Sequence, residues 1–250
     1  PLAAALLGLH CVGPLVGKLL GSIIFGSTSL LTFGFVLGMA VPTGTTSVMW
    51  AGLARANLPL SISLVALDSL LSPLVVPLTL KVFAGELVRF DTWGLLGSLC
   101  FTIVIPTIIG VSLNDFSSGR VPERLKWITG PFVKLGLCFV IAVNIAGSWL
   151  QIVEIKDRMA PLLGGLLALA VFGYSQGFAL SRLLREDMST TKSLTFSVGM
   201  RNISAGIVIA MTYFPLDAAV PVVAATLFQQ PLATLVYRYF EHREKPQPVR

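Results

Sequence analysis

Two charged residues stand inside long apolar stretches of this sequence, and they are its strongest candidates for chemistry. Arg201 follows Gly199 and Met200 in an otherwise apolar run, and Asp68 lies near the middle of residues 58–84. A charge in such surroundings costs several kcal/mol when it has no partner. We therefore expect Asp68 and Arg201 to contact each other, either as a purely structural ion pair or as part of a binding site. In the second case Arg201 holds a ligand carboxylate, and Asp68 is its resting counter-ion or a protonatable coupling group.

The composition places these two charges in a membrane protein. Hydrophobic residues make up 54% of the 250 residues and charged residues only 12%, whereas a soluble domain carries roughly 25% charged residues. The charges cluster in short tracts, and the apolar runs between them have the ~20 residues that a helix needs to cross a bilayer. We predict an all-α polytopic membrane protein with about eight spans: 2–20, 28–55, 58–84, 93–113, 129–149, 160–184, 193–214 and 216–240.

The net charge of +6 follows membrane topology rather than a nucleic-acid-binding face. The basic excess lies in loops beside the predicted spans, so we expect no nucleic-acid partner. Tracts 120–126, 182–192 and 238–250 fall on one side of the predicted topology, and the positive-inside rule makes that side cytoplasmic, with the C-terminus. The short loops favour a multi-pass protein of a bacterial inner (plasma) membrane.

Two of the predicted spans are interrupted at corresponding positions. Residues 36–46 and 196–205 each contain a Gly-Met step followed by small polar residues, and a Ser-Pro-Leu or Gln-Pro-Leu match follows each about one span later. Gly, Pro, Ser and Thr in mid-membrane weaken a helix, and the freed backbone groups are tolerated only where protein or water satisfies them. This pattern indicates a secondary transporter with a midplane site. The alternative is that Pro42 only kinks one span and Gly199 only lets helices pack closely.

The transporter interpretation makes a structural prediction. Residues 42–48 and 197–204 should be non-helical. Their free backbone groups, together with the N-termini of the following helices, should then line a pocket that attracts anions.

Several short motifs occur at the spacing of one transporter family. They are Pro42-Thr-Gly-Thr-Thr-Ser47, Leu53-Ala-Arg-Ala-Asn57, Leu60-Ser61, Ser72-Pro73, Ala84-Gly85-Glu86 and Val198-Gly199-Met200 with Asn202. Through nearly its whole length the chain resembles the bile acid:sodium symporter family. The resemblance implies a ten-helix fold with inverted repeats and two broken helices that cross. The segments 42–48 and 197–204 should then lie within hydrogen-bonding reach of one another. It also implies that the sequence corresponds to helices three to ten, with the first two absent.

The resemblance carries expectations about domains and function. It implies a core domain formed by 1–84 and 160–214 and a panel domain formed by 93–149 and 216–240. It also implies transport of a monovalent organic anion by alternating access, with substrates from bile salts to small carboxylates such as pantoate or pyruvate. No nucleophile–base pair, metal cluster or paired carboxylates occur in the spans, so we expect neither an enzyme nor a resident cofactor or metal. The alternative is a sodium-independent channel or receptor-like protein with a structural Asp68–Arg201 pair.

The sequence departs from the family pattern where sodium-coupled members hold sodium. The Glu and Gln ligands of the family's ninth helix correspond to Ser197 and Arg201 here. The Ser-Asn of the fourth helix becomes Ser47-Val48, and the Thr ligand of the fifth falls at Val65. Sodium coupling is therefore doubtful, because the carboxylate is lost and a guanidinium repels a cation at close range.

Polar groups near the expected crossing complete the candidate site. As remnants of ion sites or as coupling groups we consider Ser47, Ser61, Asp68, Ser197, Val198, Met200 and His10, with Na⁺ and H⁺ both open as coupling ion. As substrate contacts we consider Arg201, Asn202, Thr45, Thr46 and Asn144. Two of these have simple alternatives, since Asn144 can be an interhelical hydrogen-bonding residue and His10 can satisfy a backbone carbonyl instead of a proton path.

Overall fold

The protein is built from helices, as its composition predicts. The computed structural model describes residues 1–84, 90–147, 153 and 156–244. Over these residues the chain has no extended strand, and the predicted all-α fold is confirmed. The helices are α1 (Leu2–Phe25), α2 (Leu30–Ala40), α3 (Thr46–Leu53), α4 (Leu58–Ala84), α5 (Thr92–Phe116), α6 (Arg120–Gly147), α7 (Met159–Leu183), α8 (Met188–Gly199), α9 (Ile203–Tyr213) and α10 (Leu216–Glu244).

The helix lengths agree with the predicted spans. Within the described residues, five helices are long and apolar enough to cross a bilayer: Leu2–Phe25, Leu58–Phe83, Thr92–Phe116, Lys156–Leu183 and Leu216–Arg243. Each of the two predicted interrupted spans forms a pair of shorter helices, α2 with α3 and α8 with α9. Of the remaining predicted span, 129–149, residues 129–147 form the C-terminal part of α6, and the last two lie outside the described residues.

The first break follows from proline. Ser29 caps the N-terminus of helix α2, because its Oγ accepts a hydrogen bond from the N–H of Leu31 at 3.2 Å. It ends at Ala40, because Pro42 has no N–H and restricts Val41 to an extended conformation. Val41 has φ −62° and ψ 147°. The break covers only 41–45, so the predicted non-helical range 42–48 was too long at its C-terminal end.

The second break lies between a glycine and an asparagine. Helix α8 ends at Gly199, and Met200 is extended, with φ −111° and ψ 119°. Asn202 then starts α9, because its Oδ1 accepts the N–H of Ala205 at 3.2 Å. This break covers only 200–202, whereas 197–204 was predicted to be non-helical. The exact end of a helix depends on capping groups and on tertiary partners of the terminal backbone groups. Sequence patterns do not locate that end precisely.

Helix α10 lies among the helices assigned to the core. It packs against α2, α7 and α9, and Gly34 of α2 allows the closest approach, because a Cβ there would meet the carbonyl oxygen of Ala218. The grouping of 216–240 with 93–149 as panel helices stays a prediction. Hydropathy shows that a helix crosses the membrane, whereas its neighbours depend on the shape of its faces.

One lysine of the predicted cytoplasmic tract 182–192 is buried. The side chain of Lys192 is 2% exposed, and its Nζ donates to the carbonyl oxygen of Ala54 at 2.7 Å. Ala54 follows the last residue of α3, where backbone carbonyls lack helical partners and a cation is favourable. Lys192 thus joins α8 to the end of α3.

Candidate functional site

The two helix breaks cross and are joined through their backbones. The N–H of Gly44 donates to the carbonyl oxygen of Met200 at 2.9 Å, and the N–H of Asn202 donates to that of Pro42 at 2.7 Å. Thr43 and Arg201 face each other in an isolated antiparallel bridge. Each break thereby satisfies backbone groups that the other has freed. The predicted crossing within hydrogen-bonding reach is confirmed.

Gly44 is required for this close approach. A Cβ at this position would lie 2.7 Å from the backbone oxygen of Arg201. No side chain fits at such a distance, so only glycine allows the first break to lie against the second.

Asp68 is completely buried, and both oxygens of its carboxylate have partners. Oδ1 lies 2.5 Å from Nε2 of His10, and Oδ2 accepts the backbone N–H of Thr43 at 2.7 Å. The carboxylate therefore joins α1, α4 and the first break. The carboxylate also supports the crossing directly, because it accepts the backbone N–H of Thr43 in the first break.

Arg201 binds a different set of partners. Its Nη2 donates to the carbonyl oxygen of Leu9 at 3.2 Å, and its Nη1 donates to that of Val41 at 3.5 Å. Its backbone N–H donates to Oε1 of Gln229 at 2.9 Å. The guanidinium is buried, with the residue 5% exposed.

The expected direct contact between Asp68 and Arg201 is therefore wrong. The two charges occupy adjoining places, because Leu9 precedes His10 and Val41 lies two residues before Thr43. Their charges still attract each other through space, but His10 and the N–H of Thr43 already occupy the carboxylate. Backbone carbonyls, which have no signature in a sequence, occupy the guanidinium instead.

Three serines predicted as remnants of ion sites share an unusual state. Ser47 on α3, Ser61 on α4 and Ser197 on α8 are almost fully buried, and none of their hydroxyls has a hydrogen-bond partner within the described part of the chain. The three helices pack against one another in pairs. Hydroxyls are hard oxygen ligands of the kind that alkali and alkaline-earth cations prefer, but they offer no negative charge. The nearby carboxylate of Asp68 bonds elsewhere, to His10 and Thr43.

A cavity of about 580 Å³ opens beside the crossing, between α4, α5 and α9. Thr45 and Asn202 line it at the N-termini of α3 and α9, and Val65 and Ser69 of α4 contribute one wall. Its remaining wall is mostly apolar, and no charged side chain of the described residues lines it. Two helix N-termini therefore converge on an apolar cavity, which is an arrangement that attracts an anion with a hydrophobic body.

The predicted substrate contacts divide into two groups. Thr45 and Asn202 meet at this cavity, and Thr46 lies beside them in the first turn of α3. The guanidinium of Arg201 lies apart from them, and Arg201 lines a separate cavity of about 50 Å³ among α2, α7 and α10. The side chain of Asn144 lies outside the described residues.

Sequence reasoning left the role of Gln229 open. Besides binding the backbone of Arg201, this residue accepts the hydroxyl of Tyr174 at its own carbonyl oxygen, at 2.9 Å. It thereby connects α7, α10 and the second break. Its position beside the Gln-Pro-Leu match was the only signal in the sequence that related it to the broken helices.

Comparison with known proteins gives a consistent result. Residues 1–155 match the model of the Sodium Bile acid symporter family. "Uncharacterized protein YbaS" of Bacillus subtilis (strain 168) is 38% identical over 252 residues, which cover 100% of this chain and 81% of that protein. "Probable sodium/metabolite cotransporter BASS1, chloroplastic" of Oryza sativa subsp. japonica is 29% identical over 87% of this chain and 53% of its own length. "Uncharacterized sodium-dependent transporter YocS" of Bacillus subtilis (strain 168) is 26% identical over 86% of this chain and 66% of its own length.

Proposed function

Because the chain belongs to the sodium bile acid symporter family and is a multi-pass membrane transporter, not an enzyme, we propose that it carries a monovalent organic anion. Transport proceeds by alternating access at the crossing of the two broken helices. The basic tract 238–250 supports a cytoplasmic C-terminus in a bacterial plasma membrane.

The cavity at the N-termini of α3 and α9 carries this proposal. Each helix N-terminus is equivalent to roughly half a positive charge, so that two together amount to about one unit. This partial charge suits a single carboxylate and not a dianion. The volume of about 580 Å³ lies within the usual range of small-molecule sites, and the apolar wall suits the hydrocarbon part of the substrate.

We propose further that transport does not require sodium. Two of the relatives are named for sodium, one as a sodium/metabolite cotransporter and one as a sodium-dependent transporter. In this chain Ser197 provides a neutral hydroxyl where the resemblance implies a carboxylate, and the guanidinium of Arg201 lies at the crossing. A fixed positive charge in a partly dry site opposes the entry of a second cation. The coupling ion, if transport is coupled, is then the proton.

Counterflow in proteoliposomes tests both proposals. Vesicles loaded with unlabelled pyruvate, pantoate or cholate should accelerate entry of the labelled anion, at equal rates in sodium and choline media at constant pH. Flux without acceleration by internal substrate would indicate a channel, and absence of flux for all monovalent anions would remove the proposed function. A steep, saturable rise with sodium would contradict sodium independence alone. A pH gradient imposed without sodium then shows whether protons drive uptake.

Two substitutions at Asn202 test the cavity itself. Asn202→Asp retains a good cap for α9 but places a negative charge at the cavity, and it should reduce anion transport at least tenfold. Asn202→Ser also retains the cap, without the charge, and should transport at a rate close to that of the parent. Equal transport by the two variants would show that the substrate does not approach this helix terminus.

A further inference from the structure

Two backbone carbonyls from separate elements converge on the guanidinium of Arg201. One belongs to Leu9, in the π-type turn Gly8–Val12 of α1, and the other to Val41, in the first break. Arg201 itself belongs to the second break. The side chain therefore connects α1 and the two breaks at one point, and the negative charge of Asp68 acts on it without direct contact.

The carbonyl of Leu9 is free for a local reason. The N–H of Gly13 bonds to the oxygen of Gly8, and the next residue, Pro14, has no N–H. The carbonyl oxygen of Leu9 therefore accepts no hydrogen bond from Gly13 or Pro14, the two residues that follow it by one helical turn. The carbonyl of Val41 is similarly free of helical partners, because the helix stops at Ala40. The local sequence therefore leaves the carbonyl oxygens of Leu9 and Val41 free to bind a cation.

Carbonyls of unwound backbone in broken helices are the groups that coordinate free cations in secondary transporters. Here the convergent carbonyls surround a positive charge that belongs to the chain. We propose that the guanidinium of Arg201 is a tethered cation, which permanently holds α1 and the first break against the second break as a bound ion would. This proposal rests on the proposed function and explains how transport proceeds without sodium.

The proposal makes Arg201 a positioning residue and not a substrate contact. Its guanidinium is bound to Leu9 and Val41, whereas the larger cavity is lined by Thr45 and Asn202. The guanidinium also fits closely against α1, since a Cβ at Gly13 would lie 2.7 Å from its Nη2. Truncation of Arg201 therefore leaves a space bounded by two unpaired carbonyls, with the charge of Asp68 nearby. A small cation can enter such a space.

Chemical rescue tests this consequence. Arg201→Ala and Arg201→Gln are extracted and purified in parallel in choline, sodium, potassium and low, non-denaturing guanidinium chloride, and thermal unfolding is followed in detergent. We expect both variants to unfold at a lower temperature in choline and to recover, saturably, with guanidinium or with sodium. Arg201→Lys retains a tethered cation, so it should fold in choline and gain little from added cations. Arg182→Ala, which removes an exposed arginine that lies over Phe178, is the matched control and should not respond to them.

Several results would overturn the proposal. The first is an equal change of unfolding temperature with added cation in the parent protein and in Arg201→Ala. The second is a folded Arg201→Ala whose unfolding temperature does not depend on the cation. The third is failure of both neutral variants to fold in every medium. Anion counterflow with the same proteins separates this proposal from the proposed function. If the parent carries no monovalent anion but Arg201→Ala shows the saturable rescue, the function fails and the tethered cation stands. If the parent transports and no rescue occurs, only the tethered cation fails.

Discussion

Oδ1 of Asp68 lies 2.5 Å from Nε2 of His10, and this buried contact joins α4 to α1 beneath the crossing of the broken helices. The other carboxylate oxygen binds the N–H of Thr43. Because one side chain supports both a neighbouring helix and the backbone of the break, its loss should affect the whole crossing. Asp68 therefore connects helix packing to the geometry of the proposed substrate cavity.

The first prediction concerns the energetic coupling of this pair. The loss of a hydrogen bond to a buried charged group costs roughly 1.5–3 kcal/mol. We expect Asp68→Asn to destabilise the protein within that range, and the double variant with His10→Gln to show a coupling energy of about 1–3 kcal/mol. Chemical unfolding in detergent measures these free energies. The cycle of Asp68→Asn with Arg201→Gln should give a smaller coupling, since those side chains do not touch. A larger coupling to Arg201 than to His10 would contradict the contacts described above.

The second prediction concerns the contact between the two breaks. Gly44→Ala places a methyl group 2.7 Å from the backbone oxygen of Arg201. The breaks must then separate, which should cost about 1–3 kcal/mol and weaken anion transport. Gly38→Ala is the control, because a Cβ there meets no atom within 4 Å. Thermal unfolding and counterflow should distinguish the two variants, and similar behaviour of both would show that the crossing tolerates a side chain.

The third prediction concerns the buried lysine. Lys192→Met should lower the free energy of unfolding by about 1.5–3 kcal/mol, which is typical of a lost hydrogen bond from a charged group. The carbonyl oxygen of Ala54 at the end of α3 would lose its donor. Lys81→Met replaces an exposed lysine and should change the stability by less than about 0.5 kcal/mol. Equal effects in thermal unfolding would show that Lys192 does not support α3.

The fourth prediction concerns the pH dependence of stability at the start of α8. Asp187 lies outside the membrane-spanning segments, and Thr190 lowers the pKa of its carboxyl, first through the Thr190 side chain and second through the backbone N–H, which donates to Oδ1 at 2.8 Å. A depressed pKa in the folded state contributes stability above the pKa of the unfolded chain. That contribution is lost as the pH falls through the folded value.

The matched variant for this prediction is Asp187→Asn, which caps a helix about as well as Asp but does not titrate. Unfolding temperatures of the parent and the variant, compared from neutral pH down to acid pH, should show a steeper decline for the parent. Parallel curves would show that the Asp187 cap does not contribute to the acid sensitivity of the protein.

The amino-acid sequence by itself determined the class of the protein and the location of the two breaks. These properties depend on local chemistry. Apolar runs of about 20 residues are buried in the bilayer, and Pro42 and Gly199 weaken the helices around them whatever lies nearby. The motifs around them were also sufficient to identify the family, and the resemblance to that family implied that the two breaks cross.

Only the tertiary structure decided the partners of Asp68 and Arg201, the packing of α10 against α2, α7 and α9, and the burial of Lys192. Opposite charges in the membrane suggested an ion pair, but the fold determines which donors lie next to a carboxylate. For Asp68 these donors are His10 and the N–H of Thr43. The acceptors for Arg201 and Lys192 are backbone carbonyls. Every residue carries one, so the sequence does not show which are free, and only the ends and breaks of folded helices expose them.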